Sequence, residues 1–472
     1  MKIEIVTALV LGLISTVAGQ NSCYWNAECP YNLFSSKTPY DAIRGDIRDY
    51  VDPPNCQPIS VWTINRHGNR NPGSSVTEAI KVIAGLKDEI IASHEAGRGE
   101  LCAQDVDEFR KWQWNDTLEI SASYLTGVGY EELFDLGKRL REKYPHLLEG
   151  SEDDYYFRPT NEQRTITSAI AFAHGLLEGT NLDVNPDGVR ERDEVIRPYE
   201  NCDKYQEEVK SAPAVENAVQ EFSSTDEYLA VQNAVQTRLG IATQLSVEDI
   251  YNVYEICRFY RSWSDTLRSP WCAAFSHQDL VVLEYRDDVR HYYRNGYGSW
   301  VNVRLGGLPM RDLYENFQEV VQGRGRKVVS YFTHDTMMEM VFCALGMYKD
   351  PRPLVGSNRD VNRIWRTSII AAKANNLIGI LYDCQESGSQ TYKFQLLHNE
   401  KVSEVCPADG CTWQQFESIF QPFANATLDF CSLDFPEPEP DPIVEESEPN
   451  NAYGTRFQWI GLIGAVLFST LM

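Results

Sequence analysis

The chain has 472 residues, with 68 acidic against 43 basic side chains and a formal net charge of −25. That balance excludes a nucleic-acid-binding role and loose adhesion to anionic membranes, both of which need a positive surface. It leaves room for a small anionic ligand, because a local pocket can oppose the net field.

The first segment, "MKIEIVTALVLGLISTVAGQNSC", puts one lysine before an apolar run. Val17 and Gly19 then stand ahead of Gln20 as small residues at a cleavage site. Residues 1–19 therefore read as a secretory signal peptide. The sequence has 12 cysteines, an even number that predicts mostly paired thiols in an oxidising compartment. Cys406 and Cys411 are placed to close a local loop, and Cys257 and Cys272 to bracket another. No zinc-ligand spacing is present. The sequons at Asn115 and Asn425 fit the same secretory route.

Three apolar strands each run into a charged turn and then a helix. "PISVWTINRHGNRNP" carries Ile59, Val61, Trp62 and Ile64, and Gly68 and Pro72 force the chain to turn after them. In "DYYFRPTNEQRTITSAIAFAHGLLEG" an aromatic strand precedes Thr160 or Asn161 as helix cap. The helix's apolar face is Ile166, Ile170, Phe172 and Leu176, and Arg164 stands at its start. Between these two, "GYEELFDLGKRLREKY" is a scaffold helix with Leu133, Leu136, Leu140 and Tyr144 inward. Residues from about 180 to 320 show helical periodicity without strands. The third junction, "KVVSYFTHDTMMEMVFCALGM", predicts a buried strand and a helix from about Asp335, with Met338, Val341, Phe342 and Leu345 inward and Gly346 as its stop. The basic run "RGRK" at 324–327 precedes that strand, opposite the charged edge, and reads as a solvated turn.

Past the third junction, "EPEPDPIVEESEPN" is too polar to pack and reads as an acidic stalk over 436–456. The apolar segment 457–472 is shorter than the roughly 20 residues of a spanning helix. A polar spacer, small residues and an apolar tail predict a glycosylphosphatidylinositol signal, with Asn450 or Asn451 as attachment site; a short tail anchor is the alternative. The expected organisation is a mixed-sheet α/β core over 20–175 and 320–435, with a mostly helical cap inserted over 176–319.

Open α/β sheets bind ligands beyond the carboxyl ends of their strands, where helix N-termini attract anions. Three junctions can thus deliver Arg66, His67, Arg70, Arg164, His334 and Asp335 to one crevice. No carboxylate or histidine cluster suits a metal, so arginines must neutralise a transferred phosphoryl group, which their forked guanidinium does well. His67, between Arg66 and Arg70, is kept neutral and can attack phosphorus. Asp335 can protonate the leaving oxygen and then activate water, with best turnover expected at mildly acidic pH.

"RHGNRNP" resembles the signature of the histidine acid phosphatases, and "THD" resembles their distal motif. The resemblance implies a nucleophilic His67 between phosphate-binding Arg66 and Arg70, a further phosphate ligand in Arg164, and the His334-Asp335 pair. It also implies a phosphoglycerate mutase-like core with a helical cap. "GYEELFDLGKRLREKYP", "ALGMYKDPRPL", "RTSIIAAKANNLIGILYDC" and "FQLLHNEKV" are similar to segments of the multiple inositol polyphosphate phosphatases, over about residues 50–430. Many of that family carry His-Ala-Glu where this chain has His334-Asp335-Thr336. Several have a hydroxyl residue where Gly73 stands, and Ser74 or Ser75 are the nearby substitutes. The implied reaction is stepwise, cofactor-free and metal-free hydrolysis of inositol hexakisphosphate and lower polyphosphates, with 2,3-bisphosphoglycerate as a further candidate. Extra cations from the cap should grip the remaining phosphates. A broad-specificity secreted acid phosphatase and a non-catalytic surface phosphate-binding protein are the competing readings. A cytosolic mutase conflicts with the signal peptide.

Overall fold

The strands bury branched and aromatic side chains and meet in one mixed sheet in the order β2-β3-β1-β4-β5-β6, with β7 pairing β5. They are β1 (Cys56–Arg66), β2 (Tyr155–Pro159), β3 (Val328–Thr333), β4 (Asn376–Glu386), β5 (Ser389–His398), β6 (Lys401–Val402) and β7 (Cys411–Thr412). The description rests on a computed structural model and covers residues 23–24, 31–263, 269–386 and 388–438. The signal segment, the Asn450 and Asn451 sites, the apolar tail and nearly all of the stalk lie outside it. The described residues through Leu433 form one compact unit.

β1 and β2 both run parallel to β3, whereas β4 and β5 are antiparallel. Register sets Arg66 beside Thr333 and Pro159 beside Phe332, so all three parallel strands stop at one edge. The "RGRK" run lies at the opposite end, where Arg324 pairs with Glu319 at 2.8 Å and Lys327 Nζ donates to the Glu149 carbonyl at 3.0 Å.

The main helices are α1 (Ser74–Ala84), α2 (Gly127–Lys143), α3 (Gln163–Leu177), α4 (Pro213–Ser223), α5 (Asp226–Leu239), α6 (Val247–Ser262), α7 (His277–Asn295), α8 (Trp300–Val321), α9 (Asp335–Ala344) and α10 (Trp413–Phe420). Among the described residues, no strand interrupts the helices between β2 and β3, and no helix is long and apolar enough to cross a membrane.

On one face of the sheet, Leu133, Leu136 and Leu140 of α2 and Phe172 and Leu176 of α3 join Phe157, Phe332 and Ile378 in the core. α2 and α3 approach closely because both present glycine. A Cβ on Gly175 would sit 1.9 Å from the Phe134 carbonyl, and one on Gly137 2.3 Å from that of Phe172. On α8, Asp312 accepts from Trp62 Nε1 of β1 and from Tyr331 Oη of β3, each at 2.8 Å.

Two local expectations for α3 need correction. Neither Thr160 nor Asn161 caps it: Glu162 occupies the cap position without a side-chain cap bond. Thr160 Oγ1 instead meets Thr165 Oγ1 and the His334 ring. The buried face is Thr165, Ser168, Ala169, Phe172 and Leu176, with Ile166 and Ile170 only half-buried. Close packing on α2 selects small residues for the seam and turns the bulkier isoleucines aside. α9 keeps its expected inward set of Met338, Val341, Phe342 and Leu345, and Gly346 ends it at φ 70°.

Five disulfides join Cys23–Cys102, Cys56–Cys384, Cys202–Cys431, Cys257–Cys272 and Cys406–Cys411. The two loops expected from spacing are among them, and Cys343 is a buried free thiol.

The loop after β1 is clamped to the start of α2. Thr126 N donates to the Asn69 carbonyl at 2.9 Å, and Asn69 N donates to Glu132 Oε2 at 2.6 Å. A Cβ on Gly129 would stand 2.1 Å from the Asn69 carbonyl, backbone against backbone. Gly129→Ala should therefore cost about 1–3 kcal/mol, the range for overpacking, and displace the loop carrying His67. A lower denaturation midpoint together with reduced phosphate binding is the expected result; an unchanged midpoint would show that the clamp yields freely.

Candidate active site

β1 ends on Arg66 and passes His67 into the loop, while β3 ends beside it and passes His334 and Asp335 to the start of α9. β2 leads through Thr160 to Arg164 in the first turn of α3. All six residues expected from the sequence meet at this edge.

His67 is 2% exposed, and its backbone N–H donates to the Thr333 carbonyl at 3.0 Å. Its ring Nδ1 lies 2.8 Å from the Gly68 carbonyl. A carbonyl only accepts, so Nδ1 carries the proton and Nε2 keeps its lone pair. Burial, then the charges of Arg66 and Arg164, holds this imidazole well below its ordinary range. It is a neutral ring with a free nucleophilic nitrogen.

Arg66 is as much wall as ligand. Nη1 donates to the carbonyls of Ser36 and Ala371, and Nη2 pairs with Asp335 Oδ2 at 2.8 Å. Arg70 Nη1 donates to the Asn71 carbonyl at 2.8 Å, and burial beside Arg164 and Arg66 pushes it down to about 10. Arg164 lies 3.3 Å from Glu162 and 3.4 Å from His334 Nδ1. Since guanidinium only donates, His334 accepts at Nδ1 and donates from Nε2 to Thr160 Oγ1 at 3.0 Å. Burial and the charges of Arg164 and Arg197 keep it neutral too. Burial alone would raise the Asp335 carboxyl, but Arg66, His291 and Arg70 outweigh it and hold the group well below the usual carboxylate range.

The crevice has two adjoining lobes that share Arg70, Arg294, Asp335 and Thr336. The lobe over His67, of about 170 Å³, adds Arg197 and Lys210. The other, of about 420 Å³, adds Lys37, Ser75, Arg290 and His291. His291 Nδ1 lies 2.7 Å from Glu339 Oε1, and Asn295 donates to the other Glu339 oxygen at 2.7 Å. Burial would lower the ring, but Glu339 outweighs it and keeps His291 above its ordinary range.

None of Arg197, Lys210, Arg290, His291 and Arg294 stood out in the sequence, because none adjoins a motif. The usable signal was the polar stripe Asp287, His291 and Arg294-Asn295 on α7, spaced as one helical face. Ser75 lines the larger lobe near the departure at Gly73. Among the described residues one grouping of ligand-type atoms, Cys23, Cys102 and Asp105, lies close together, but its sulfurs are bonded to each other.

Residues 59–399 match the histidine phosphatase superfamily (branch 2), and the chain belongs to that family. Multiple inositol polyphosphate phosphatase 1 of Drosophila melanogaster is 31% identical over 405 residues, covering 83% of this chain and 85% of that protein. The Homo sapiens protein of the same name is 25% identical over 410 residues, covering 79% and 82%. The D. castellii phytase structure superposes with TM-score 0.66 at 17% identity, covering 86% of this chain and 90% of that one. The Bifidobacterium longum multiple inositol polyphosphate phosphatase in complex with inositol hexasulfate gives TM-score 0.61 at 16% identity, covering 81% and 96%. The α/β fold with its mixed sheet is that of these phosphatases.

His174 and His398 stand outside the crevice. Burial, with Lys401 nearby, pushes His398 down to about 3. Its folded value lies below the unfolded one of about 6.5, so between those limits the unfolded chain binds a proton that the folded chain refuses. Stability therefore falls as pH falls through that window. His398→Gln should flatten the slope of unfolding free energy against pH there by about 1.4 kcal/mol per pH unit, measured by urea denaturation at several pH values. An unchanged slope would mean that the ring titrates normally in the fold.

Proposed function

We propose that this chain hydrolyses inositol polyphosphates stepwise through a phosphohistidine on His67, with guanidinium groups holding the transferred phosphoryl. The carrying observation is the neutral His67 ring beside Arg70 and Arg164, with Asp335 on the same wall. Nε2 attacks phosphorus, so a P–N bond forms as the ester P–O bond breaks. Arg70 and Arg164 neutralise the equatorial oxygens. The phosphate dianion offsets the cations that keep Asp335 ionised, letting the carboxyl take a proton and pass it to the leaving alkoxide. Water then gives a proton of its own to Asp335 and attacks phosphorus, so a P–O bond forms as the P–N bond to His67 breaks, and inorganic phosphate leaves.

The substrate class follows from the cations that the reacting phosphate does not use. Lys37, Arg197, Lys210, Arg290 and Arg294 line the two lobes around one phosphate position, more cations than the single phosphate of a simple monoester can contact. The names of the fly and human relatives point the same way.

Purified protein given inositol hexakisphosphate with excess chelator should release phosphate and yield lower inositol phosphates. His67→Ala should abolish release with the fold intact, and Lys210→Ala should raise KM for the hexakisphosphate while sparing a simple aryl phosphate. Acid-labile phosphorus trapped on another side chain, or strict dependence on magnesium or zinc, would overturn this reading.

The same proposal places the enzyme in the secretory route, at the cell surface through a lipid anchor or released from it. Five disulfides support an oxidising compartment, and the sequon residues Asn115 and Asn425 are both exposed. Phosphatidylinositol-specific phospholipase C should free the activity from intact expressing cells. Activity that stays with the membrane, or that is found in the cytosol, would refute the anchor.

A further inference from the structure

Lys373 lies in the turn before β4, and its backbone N–H donates to the Thr38 carbonyl at 3.0 Å. The residue is 0% exposed, and its Nζ meets no hydrogen-bond acceptor. A charged ammonium so placed has lost its hydration without gaining a partner. The groups that face it make this worse. Arg66 and Arg70 from the end of β1 and its loop, and Lys37 from a second segment, bring positive charge, and His67 adds a ring held neutral by burial and the same field.

The carboxylates Asp335, Glu132 and Glu255 act on this cluster, and each is engaged by a group other than Lys373. Asp335 is paired with Arg66 at 2.8 Å. Glu132 accepts from Asn69 N at 2.6 Å and from Tyr40 N at 3.4 Å. Phe259 fills the space beside the two lysines, its ring centre 6.0 Å from Lys373 Nζ and 5.7 Å from Lys37 Nζ. Lys37 has Glu255 at 3.5 Å for a counter-charge, whereas Lys373 has none. Guanidinium does not give up its proton. The excess positive charge is therefore shed at the lysine without a partner.

We propose that Lys373 is the charge reserve of the phosphate pocket: it is uncharged while no oxyanion is bound and takes up a proton when a tetrahedral dianion enters. This rests on the reading of the crevice as a phosphoryl site and adds a proton to its binding equilibrium. The dianion supplies the counter-charge that the wall lacks, and the ammonium acts on it through a medium of low dielectric, where one charge counts for most. When phosphate leaves, the ammonium returns its proton to solvent, so the vacated pocket does not keep a surplus charge that would hold product. Burial, then Arg66, Arg70 and Lys37, places the group well below the ordinary lysine range, in agreement with the geometry.

The test uses inorganic sulfate, which stays a dianion across the accessible pH range while phosphate itself titrates. Calorimetric titration of the full chain near neutral pH, in two buffers of different ionisation enthalpy, gives the protons taken up per sulfate bound. The unsubstituted protein should take up about one proton more than Lys373→Met. Lys373→Arg, charged with or without sulfate, should show the same deficit, and it decides the matter if the apolar variant does not fold. In the unsubstituted protein, one side-chain resonance of carbon-labelled lysine should also move from the neutral to the charged position as sulfate is added. Equal uptake in protein and variants, or no such movement, overturns the proposal even where hydrolysis proceeds normally. Absence of any sulfate or phosphate binding would instead overturn the reading of the crevice itself.

Discussion

The ion pair between buried Arg66 and half-buried Asp335, 2.8 Å long, is the interaction on which the crevice depends. It joins the end of β1 to the start of α9, and it exists only because β1 and β3 are parallel neighbours in a register that aligns Arg66 with Thr333. The rest of the Arg66 guanidinium is held by backbone carbonyls, so the pair is anchored on one side by secondary structure. Removing Asp335 would leave the buried Arg66 charge without its carboxylate, which is destabilising. Position and charge state at the site are thus determined together.

The pair also shows how an acidic protein can build an anion site. Net charge acts over the whole surface, whereas the lobe over His67 gathers Arg70, Arg164, Arg197, Lys210 and Arg294 against Glu200 and Asp335. The crowding has consequences for each group. His67 and His334 stay neutral, Arg70 is pushed down to about 10, and Asp335 is kept ionised. Burial, then surplus positive charge, lowers His67, His334 and Arg70, and the same charge outweighs burial at Asp335; a bound phosphate offsets the charge at all four. Affinity and catalytic readiness therefore share one electrostatic origin.

The scaffold supports this by close backbone approach. Gly129 lets the start of α2 press on the loop after His67, and Gly137 and Gly175 let α2 and α3 meet without side chains between them. Those glycines were legible as residues in a helical pattern, but their purpose was not. The same seam explains why the apolar face read from spacing on α3 was shifted: Ile166 and Ile170 suit a helical stripe, yet small residues occupy the contact.

From the sequence alone came the three strand-to-helix junctions, the helical stretch between them, two of the disulfide loops and the six residues at the strand ends. These are local matters: alternation, helical period, turn residues and a short motif are written in neighbouring positions. Tertiary structure alone decided that Thr160 meets His334 instead of capping α3, that His291 and Arg294 of α7 face the crevice, and that Lys373 stands buried among cations. Such facts depend on which distant segments share a wall. Charge and desolvation act through space, so no window along the chain contains them.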